Sequence, residues 1–315
     1  MEIFYGIENF SERQKCGTCV AVGTFDGLHV GHRLIVQTLV ETAAQKGLKS
    51  LILTFDPHPR KVLFPEKDLN LILSPEEKVE VLATTGVDYL VIHRFSKDFA
   101  AINSADFMQK ILVNQLGMQY LVSGFNNHFG CDRMGDTEIL NQYGQRFGFG
   151  LSRIHAKQLD GISASSTLVR NALLDGDVSA AAEILGYSFY ISGKVVHGRH
   201  IGTTIGFPTA NILPDCVDKL IPKVGVYAAA LQVEGNLYQS VVNIGNNPTV
   251  SDSHKTTIEA YILDFEGDIY NKNVRVYLYQ RIRDQKKFPD LEHLAAAIRQ
   301  DVNELKKTKK TDVNY

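Results

Sequence analysis

The chain has 315 residues, 44% hydrophobic and 22% charged, which excludes a disordered or low-complexity protein. At roughly 150 residues per domain, that length points to two cores. With 33 Lys and Arg against 35 Asp and Glu the net charge is −2, so nothing draws nucleic acid or an anionic membrane to the molecule as a whole, and any anion has to be held locally. No apolar run approaches the roughly 20 residues of a membrane span. The opening MEIFYGIENFSERQK lacks the apolar core of a secretory signal, and a cytoplasmic protein is expected. The four cysteines are too few for a disulfide scaffold; Cys16 and Cys19 form a C-x-x-C, but it leads into a strand and lacks the second pair of a zinc ribbon.

From residue 20 to about 185, short β-branched runs alternate with helical patterns. VAVGTF reads as a strand, and HRLIVQTLVETAAQKG as a helix with Leu34, Ile35, Leu39 and Ala43 on one face and Gly47 as its stop. LKSLILTF is the next strand. Ser74, Pro75 and Glu77 then supply an N-cap, a first-turn proline and a capping acid for a helix to about Thr85. DYLVIHRF, MQYLVSG and FGLSRI are further strands, separated by the helices SADFMQKILVNQLG and TEILNQYGQRFG. The pattern predicts an α/β domain: a doubly wound parallel sheet covered by helices on both faces. Ligands of such sheets bind at the carboxyl ends of the strands, where GTFDGLHVGH, DPHPR, GFNNHFG and DGISASSTLVR all fall.

After the helical segments SASSTLVRNALLDG and DVSAAAEILG the pattern changes. FYISGKVV, GVYAAALQVEG, LYQSVVNIG, TTIEAYILDF and VRVYLYQRI are strand-like, with a hairpin turn at Glu234, Gly235 and Asn236. This predicts an antiparallel barrel or sandwich, closed by the terminal helix PDLEHLAAAIRQDVNELKK. The domains are expected over residues 1 to 185 and 186 to 315.

In AVGTFDGLHVGHRLIV, His29 and His32 stand beside Gly23, Gly27 and Gly31. A metal site, a tight turn and a phosphate cradle all fit these residue types. The cradle has a physical rationale: His32 falls near a helix start, whose free N–H groups and positive dipole end favour phosphate. In the second half, GKVVHGRHIGTTIGFPTANI carries glycines at 193, 198, 202 and 206. Thr209 and Asn211, two residues apart on an extended segment, place two oxygens on one side, in reach of a single hard cation.

The H-x-G-H-like element after the first strand, with SSTLVR after the last, resembles the nucleotidyltransferase superfamily. GTFDGLHVGH, TFDPHP and GFNNHFG narrow the resemblance to the FMN adenylyltransferase domain of the bacterial bifunctional riboflavin kinase/FAD synthetase family. GKVVHGRHIGTTIGFPTANI and TTIEAYILDFEGDIY resemble that family's riboflavin kinase signature, so that the likeness runs from about Val20 to about Asp301. It implies a Rossmann-like nucleotidyltransferase fold, then a riboflavin kinase-like β-barrel. By the resemblance, His29 and His32 bind ATP phosphates with catalytic effect, and Gly23, Phe25, Asp26, Gly27 and Gly31 belong to the same ATP site. Asn126 helps to hold phosphate or magnesium, and Ser165, Ser166, Thr167 and Arg170 complete the triphosphate site.

The same resemblance places Gly193, Lys194, Gly198, Gly202, Gly206 and Pro208 in the kinase ATP loop, Thr209 and Asn211 on magnesium, and Glu259 as the catalytic base. His58, Arg60 and Arg283 are flavin-side candidates, although the polar loop of His58 and Arg60 reads equally as a plain turn. The implied small molecules are riboflavin, FMN, FAD and ATP with Mg2+, on a monomer or weak homo-oligomer without nucleic-acid or membrane partners. Asn127 stands where the family usually has an aromatic residue, Thr203 where it has arginine, and Asn271 where glycine is common. One retained activity, or a flavin-binding regulator without turnover, are the rival readings. The full set of His29, His32, Thr209, Asn211 and Glu259 speaks against the regulator, which has no use for a base.

Overall fold

A computed structural model describes residues 1–11, 16–124, 128–132, 134–154, 158–159, 162–198, 206–246 and 256–307. It divides into two compact units, Met1–Leu69 with Pro75–Ala164, and Asn70–Ser74 with Ser165–Tyr315.

The first unit is built on a six-stranded parallel sheet. Its strands are β1 (Glu2–Tyr5), β2 (Thr18–Val22), β3 (Lys49–Phe55), β4 (Tyr89–His93), β5 (Met118–Gly124) and β6 (Gly150–Ile154), in the order β1-β4-β3-β2-β5-β6. β1 is absent from the sequence reading, because four residues carry too short an alternation to register as a strand. Alternate side chains supply two cores. Val20 and Val22, Leu51 and Leu53, and Leu121 pack on one side with α1 (Ile7–Ser11) and with a helix, α6, that begins at Ser104. On the other side lies α2 (Val30–Lys46), which packs on β2, β3 and β5 through Val36, Leu39 and Ala43.

α2 stops where Gly47 turns left-handed at φ 65°. Shorter helices α3 (Pro59–Leu63), α4 (Pro75–Ala83) and α5 (Lys97–Ala100) follow, α4 opening on the expected proline. α6 departs from the expected single α-helix: it is α-helical over Ser104–Asp106 and a π-helix over Phe107–Gln115. The apolar residues Phe107, Ile111, Leu112 and Leu116 recur at steps of four and five, which i→i+5 winding brings to one face. α7 (Thr137–Phe147) precedes β6, and a two-stranded pair, β7 (Gln158–Leu159) and β8 (Ile162–Ser163), completes the unit.

The second unit begins with α8 (Ser166–Asp175) and α9 (Val178–Leu185) and continues into a closed barrel. β9 (Tyr190–Val196), β10 (Thr209–Pro214), β11 (Gly225–Val233), β12 (Asn236–Asn246), β13 (Thr256–Ile262) and β14 (Asn273–Arg283) close in the order β10-β13-β12-β11-β14-β9, all neighbours antiparallel. Of the two expected β architectures, barrel and sandwich, the chain adopts the barrel, because β9 pairs with both β10 and β14 and leaves no edge. Glu234 and Gly235, at φ 51° and 82°, form the two-residue hairpin turn whose twist matches the flanking strands. Asn271, at φ 61°, occupies a left-handed position that explains why glycine suits it and why asparagine, tolerant of that region, replaces it.

Along β13, Ile258, Ala260 and Ile262 are buried while Thr257, Glu259 and Tyr261 are half-buried on the opposite face. Period two therefore puts Glu259 outside the barrel. α10 (Leu291–Lys307) covers another part of that outer surface, with Leu305 and Val302 against Val226, Ala228 and Val241. It is fastened by Arg283, whose Nε and one terminal nitrogen each donate at 2.8 Å to the two oxygens of buried Asp301. Asp301→Ala strands a partly buried guanidinium and is expected to cost about 2–4 kcal/mol. Urea denaturation followed in the second unit checks this; an unchanged midpoint would show that the pair contributes nothing.

Candidate active sites

In the first sheet the chain runs from β2 through β3 to β4 on one side, and β5 then pairs with the other side of β2. β2 and β5 thus flank a topological switch point, where parallel sheets open a ligand crevice at their carboxyl ends. The loop after β2 carries the paired histidines to this point. Its backbone is unusual, since Phe25, Gly27 and Leu28 all have positive φ, 48°, 82° and 39°. Two non-glycine residues in that region cost about 1–3 kcal/mol each, and burial of both side chains holds them there.

The loop delivers His29 as the N-cap of α2. His29 Nδ1 accepts the backbone N–H of His32 at 3.3 Å, so Nδ1 carries no proton and the neutral ring bears it on Nε2. The two imidazoles stack, with centroids 3.7 Å apart, and Phe25 meets His32 edge-on at 5.4 Å. A Cβ at Gly31 would lie 3.2 Å from the His29 ring, and one at Gly23 3.2 Å from Phe25. These two glycines make room for the rings. Burial pushes His29 down to about 4 and His32 well below its ordinary range, with the other histidine and Lys78 adding to the effect on His32. His32 Nδ1 is buried without a hydrogen-bond partner among the described residues. Two neutral, stacked imidazoles thus stand at a helix start, one of them holding a buried polar atom without a partner among the described residues.

Asp26 is buried in the same loop. Lys78, from α4, is electrostatically coupled to His32, Asp26 and Asp56. Nothing in its sequence context separates it from an ordinary solvated lysine, and sequence reasoning missed it. His58 caps α3, its Nδ1 accepting the Arg60 N–H at 3.1 Å, while the Arg60 side chain is exposed. Asn126 and Asn127 lie outside the described residues.

In the second unit Ser165 is the N-cap of α8, accepting from the Leu168 N–H at 3.3 Å, and Thr167 is exposed. Arg170 donates to the carbonyls of Asn70 and Ser166, both at 3.2 Å. On the barrel, register brings the expected kinase residues together. Asn211 of β10 pairs with Glu259 of β13, which pairs on its other side with Asn243 of β12. Directly opposed residues share a face with Cβ atoms about 5 Å apart. Thr209 sits opposite Tyr261, whose ring meets Phe207 edge-on at 5.1 Å. Asn243 was not legible in the sequence, because its nearness to Glu259 depends wholly on strand register.

A Cβ at Gly198 would fall 2.0 Å from the Asn211 amide nitrogen, so glycine here leaves space for that amide. At Gly193 a Cβ would meet the Leu213 carbonyl at 2.5 Å, a demand of the barrel wall. Lys194, Gly206 and Pro208 are exposed, and Gly202 and Thr203 lie outside the described residues. Arg283 is engaged by Asp301. Cys16 is exposed and Cys19 buried in β2, where burial pushes its thiol up to about 12 and makes it inert.

A helix start bearing paired histidines lies at the switch point of one unit, and a carboxylate stands between two asparagines on the barrel of the other, so that each unit carries a candidate site of its own. A family model described as FAD synthetase matches residues 11–168, and one described as riboflavin kinase matches residues 185–309. A bifunctional riboflavin kinase/FMN adenylyltransferase from Pseudomonas fluorescens is 35% identical over 96% of this chain and 96% of its own length. One from Listeria monocytogenes is 37% identical over 90% of this chain and 89% of its own. A crystal structure described as a macrolide-efflux protein from Streptococcus pneumoniae aligns with a TM-score of 0.89 at 29% identity, covering 98% of this chain and 100% of that one. Among the described residues no helix is long and apolar enough to cross a membrane. The chain belongs to the bifunctional riboflavin kinase/FMN adenylyltransferase family.

The depressed histidines link the first site to stability. Because His29 titrates near 4 in the folded state against 6.5 ordinarily, the unfolded chain takes up its proton first as pH falls. This contribution is whole above pH 6.5, is lost between 6.5 and 4, and amounts to up to about 3 kcal/mol. His29→Asn, which keeps a capping side chain, should lessen the acid-induced fall in the first unit's urea midpoint; a parallel pH dependence in both proteins would refute the shift.

Proposed function

We propose the following roles for a chain that acts as a bifunctional enzyme of flavin cofactor synthesis, phosphorylating riboflavin to FMN and adenylylating FMN to FAD, with ATP as donor in both reactions. The domains are residues 1 to 185 for adenylyl transfer and 186 to 315 for the kinase, in keeping with the spans of the two family matches. The observation that carries the first assignment is the neutral His29–His32 stack at the start of α2.

In adenylyl transfer an FMN phosphate oxygen attacks the α-phosphorus of ATP while the bond to the β-phosphate oxygen breaks and pyrophosphate leaves. The nucleophile is already anionic, so the protein's work is placement and charge stabilisation. His29 Nε2–H, His32 and the free N–H groups of α2 donate to oxygens whose charge grows in the transition state, and neutral imidazoles can donate without first losing a proton. Gly23, Phe25, Asp26, Gly27 and Gly31 shape this loop. Asn126, Ser165, Ser166, Thr167 and Arg170 carry their ATP-site assignment from the family signature alone.

In the kinase, Glu259 takes the proton of the terminal ribityl hydroxyl as its oxygen attacks the γ-phosphorus of ATP, and ADP departs. Thr209 and Asn211 offer a hydroxyl and an amide oxygen, donors that suit a hard cation, and the space at Gly198 lets the amide stand there. Magnesium bound to them would neutralise phosphate charge. Lys194, Gly202, Gly206 and Pro208 border the ATP, and His58, Arg60 and Arg283 remain flavin-side candidates. The enzyme is a cytoplasmic monomer or weak homo-oligomer.

His29→Ala should lower FAD formation about 100-fold and leave FMN formation intact. Glu259→Gln should do the converse by about 100-fold or more. Chromatography of flavins from riboflavin, ATP and magnesium resolves both; equal loss of the two products in either variant contradicts separate centres.

A further inference from the structure

The loop that leaves β5 at Gly124 begins at the carboxyl end of the sheet, beside the switch point, and runs on to α7. Its described part is tied to the start of α6. Asp132, exposed at the surface, accepts the Ser104 N–H on Oδ1 at 3.0 Å and the Ser104 hydroxyl on Oδ2 at 2.7 Å. Ser104 is buried, and its Oγ lies 2.9 Å from the hydroxyl of Tyr143 on α7. Since the one hydroxyl hydrogen of the serine goes to the carboxylate, Tyr143 is the donor to Ser104, and a directed chain runs from Tyr143 through Ser104 to Asp132. Beside it the Cys131 N–H donates to the Ile102 carbonyl at 2.9 Å. Gly130, at φ 71°, brings the two backbones so close that a Cβ would fall 2.2 Å from the Ser104 nitrogen. Phe129 is buried next to this clamp, its ring stacked on Phe107. α6 can begin without Asp132, because Asn103 is its N-cap and accepts the Asp106 N–H at 2.8 Å. What the carboxylate adds is a fixed path for a loop that starts at the ligand-binding end of the sheet.

We infer that Asp132 is a positioning residue of the adenylyl-transfer site: through Ser104 it holds the loop after β5 in the form that receives substrate. The inference rests on the site assignment made above for the first unit, where the same loop carries Asn126, given to ATP by the family signature. Asp132 touches no reacting atom in this role. A loop already in its binding form spares the substrate the cost of ordering it, and where only a fraction of molecules holds that form, apparent affinity falls by the same fraction. Release of the clamp therefore acts on KM and leaves kcat, read at saturation, near its original value.

The full-length Asp132→Ala and Asp132→Asn variants test this, with riboflavin phosphorylation by the same chain as the control for intact protein. Asp132→Ala alters an exposed side chain and is expected to raise the KM of ATP in FAD formation about 10-fold, with kcat within about 2-fold and FMN formation spared. In Asp132→Asn the amide oxygen accepts the Ser104 N–H and the amide nitrogen donates to Ser104 Oγ, which turns its own hydrogen to Tyr143. The chain then runs in reverse, and KM should return to within about 3-fold of wild type. A rise in the KM of FMN alone would keep the positioning role and name the other substrate. An unchanged KM for both substrates in Asp132→Ala overturns the inference, even where the urea midpoint of the first unit falls, since that result marks a purely structural tie. So does an Asp132→Asn protein no better than Asp132→Ala. His29→Ala run alongside separates the two levels: if it leaves FAD formation unchanged, the site assignment fails, and if it loses activity while Asp132→Ala keeps the wild-type KM values, only Asp132 is misassigned.

Discussion

The hydrogen bond from the His32 amide to His29 Nδ1 sets the geometry of the first site. It ends the strained loop, starts α2, fixes which ring nitrogen of His29 bears a proton and brings the two imidazoles into a stack. The usual capping residues are small and oxygen-bearing. An imidazole performs the same task here and leaves its far nitrogen as a donor. Gly31 and Gly23 follow from this choice, since a methyl group at either would press on the rings. Burial then keeps both rings neutral, so that neither adds a charge to the loop.

The barrel solves a different problem by register. Asn211, Glu259 and Asn243 lie far apart in the chain, yet antiparallel pairing sets them in one row across β10, β13 and β12. A slip of one residue on β13 would turn Glu259 into the barrel and bring Ile258 out, which the inward packing of Ile258, Ala260 and Ile262 forbids. The apolar core therefore guards the position of the carboxylate. α10, clasped by Arg283 and Asp301, covers the neighbouring outer surface and leaves β11 buried on both faces.

Much of this was legible in the sequence because it is local. Near-continuous apolar runs marked five of the parallel strands, helical period marked the long helices, and strand-like runs marked every barrel strand but β10, to within a few residues. β1 escaped for want of length, and the π-helical winding of α6 escaped because its spacing also reads as an ordinary amphipathic helix. Among candidate site residues, the GTFDGLHVGH loop and the T-x-N pair were singled out by their resemblance to the family signatures, since type and spacing alone also fit a plain turn. Lys78 and Asn243 were not, being ordinary residues whose neighbours come from other strands and helices.

The sequence by itself determined the alternation of the longer strands and helices in the first half and the run of strands in the second, the presence of histidines near a helix start, and the shared face of Thr209 and Asn211, since each depends on residues within one or two turns. Only the tertiary structure decided that His29 is the cap, that β2 and β5 make the switch point, that Glu259 stands between two asparagines, and that Arg283 is held by Asp301. These depend on register, on closure of the barrel and on burial, which arise when distant segments compete for the same core.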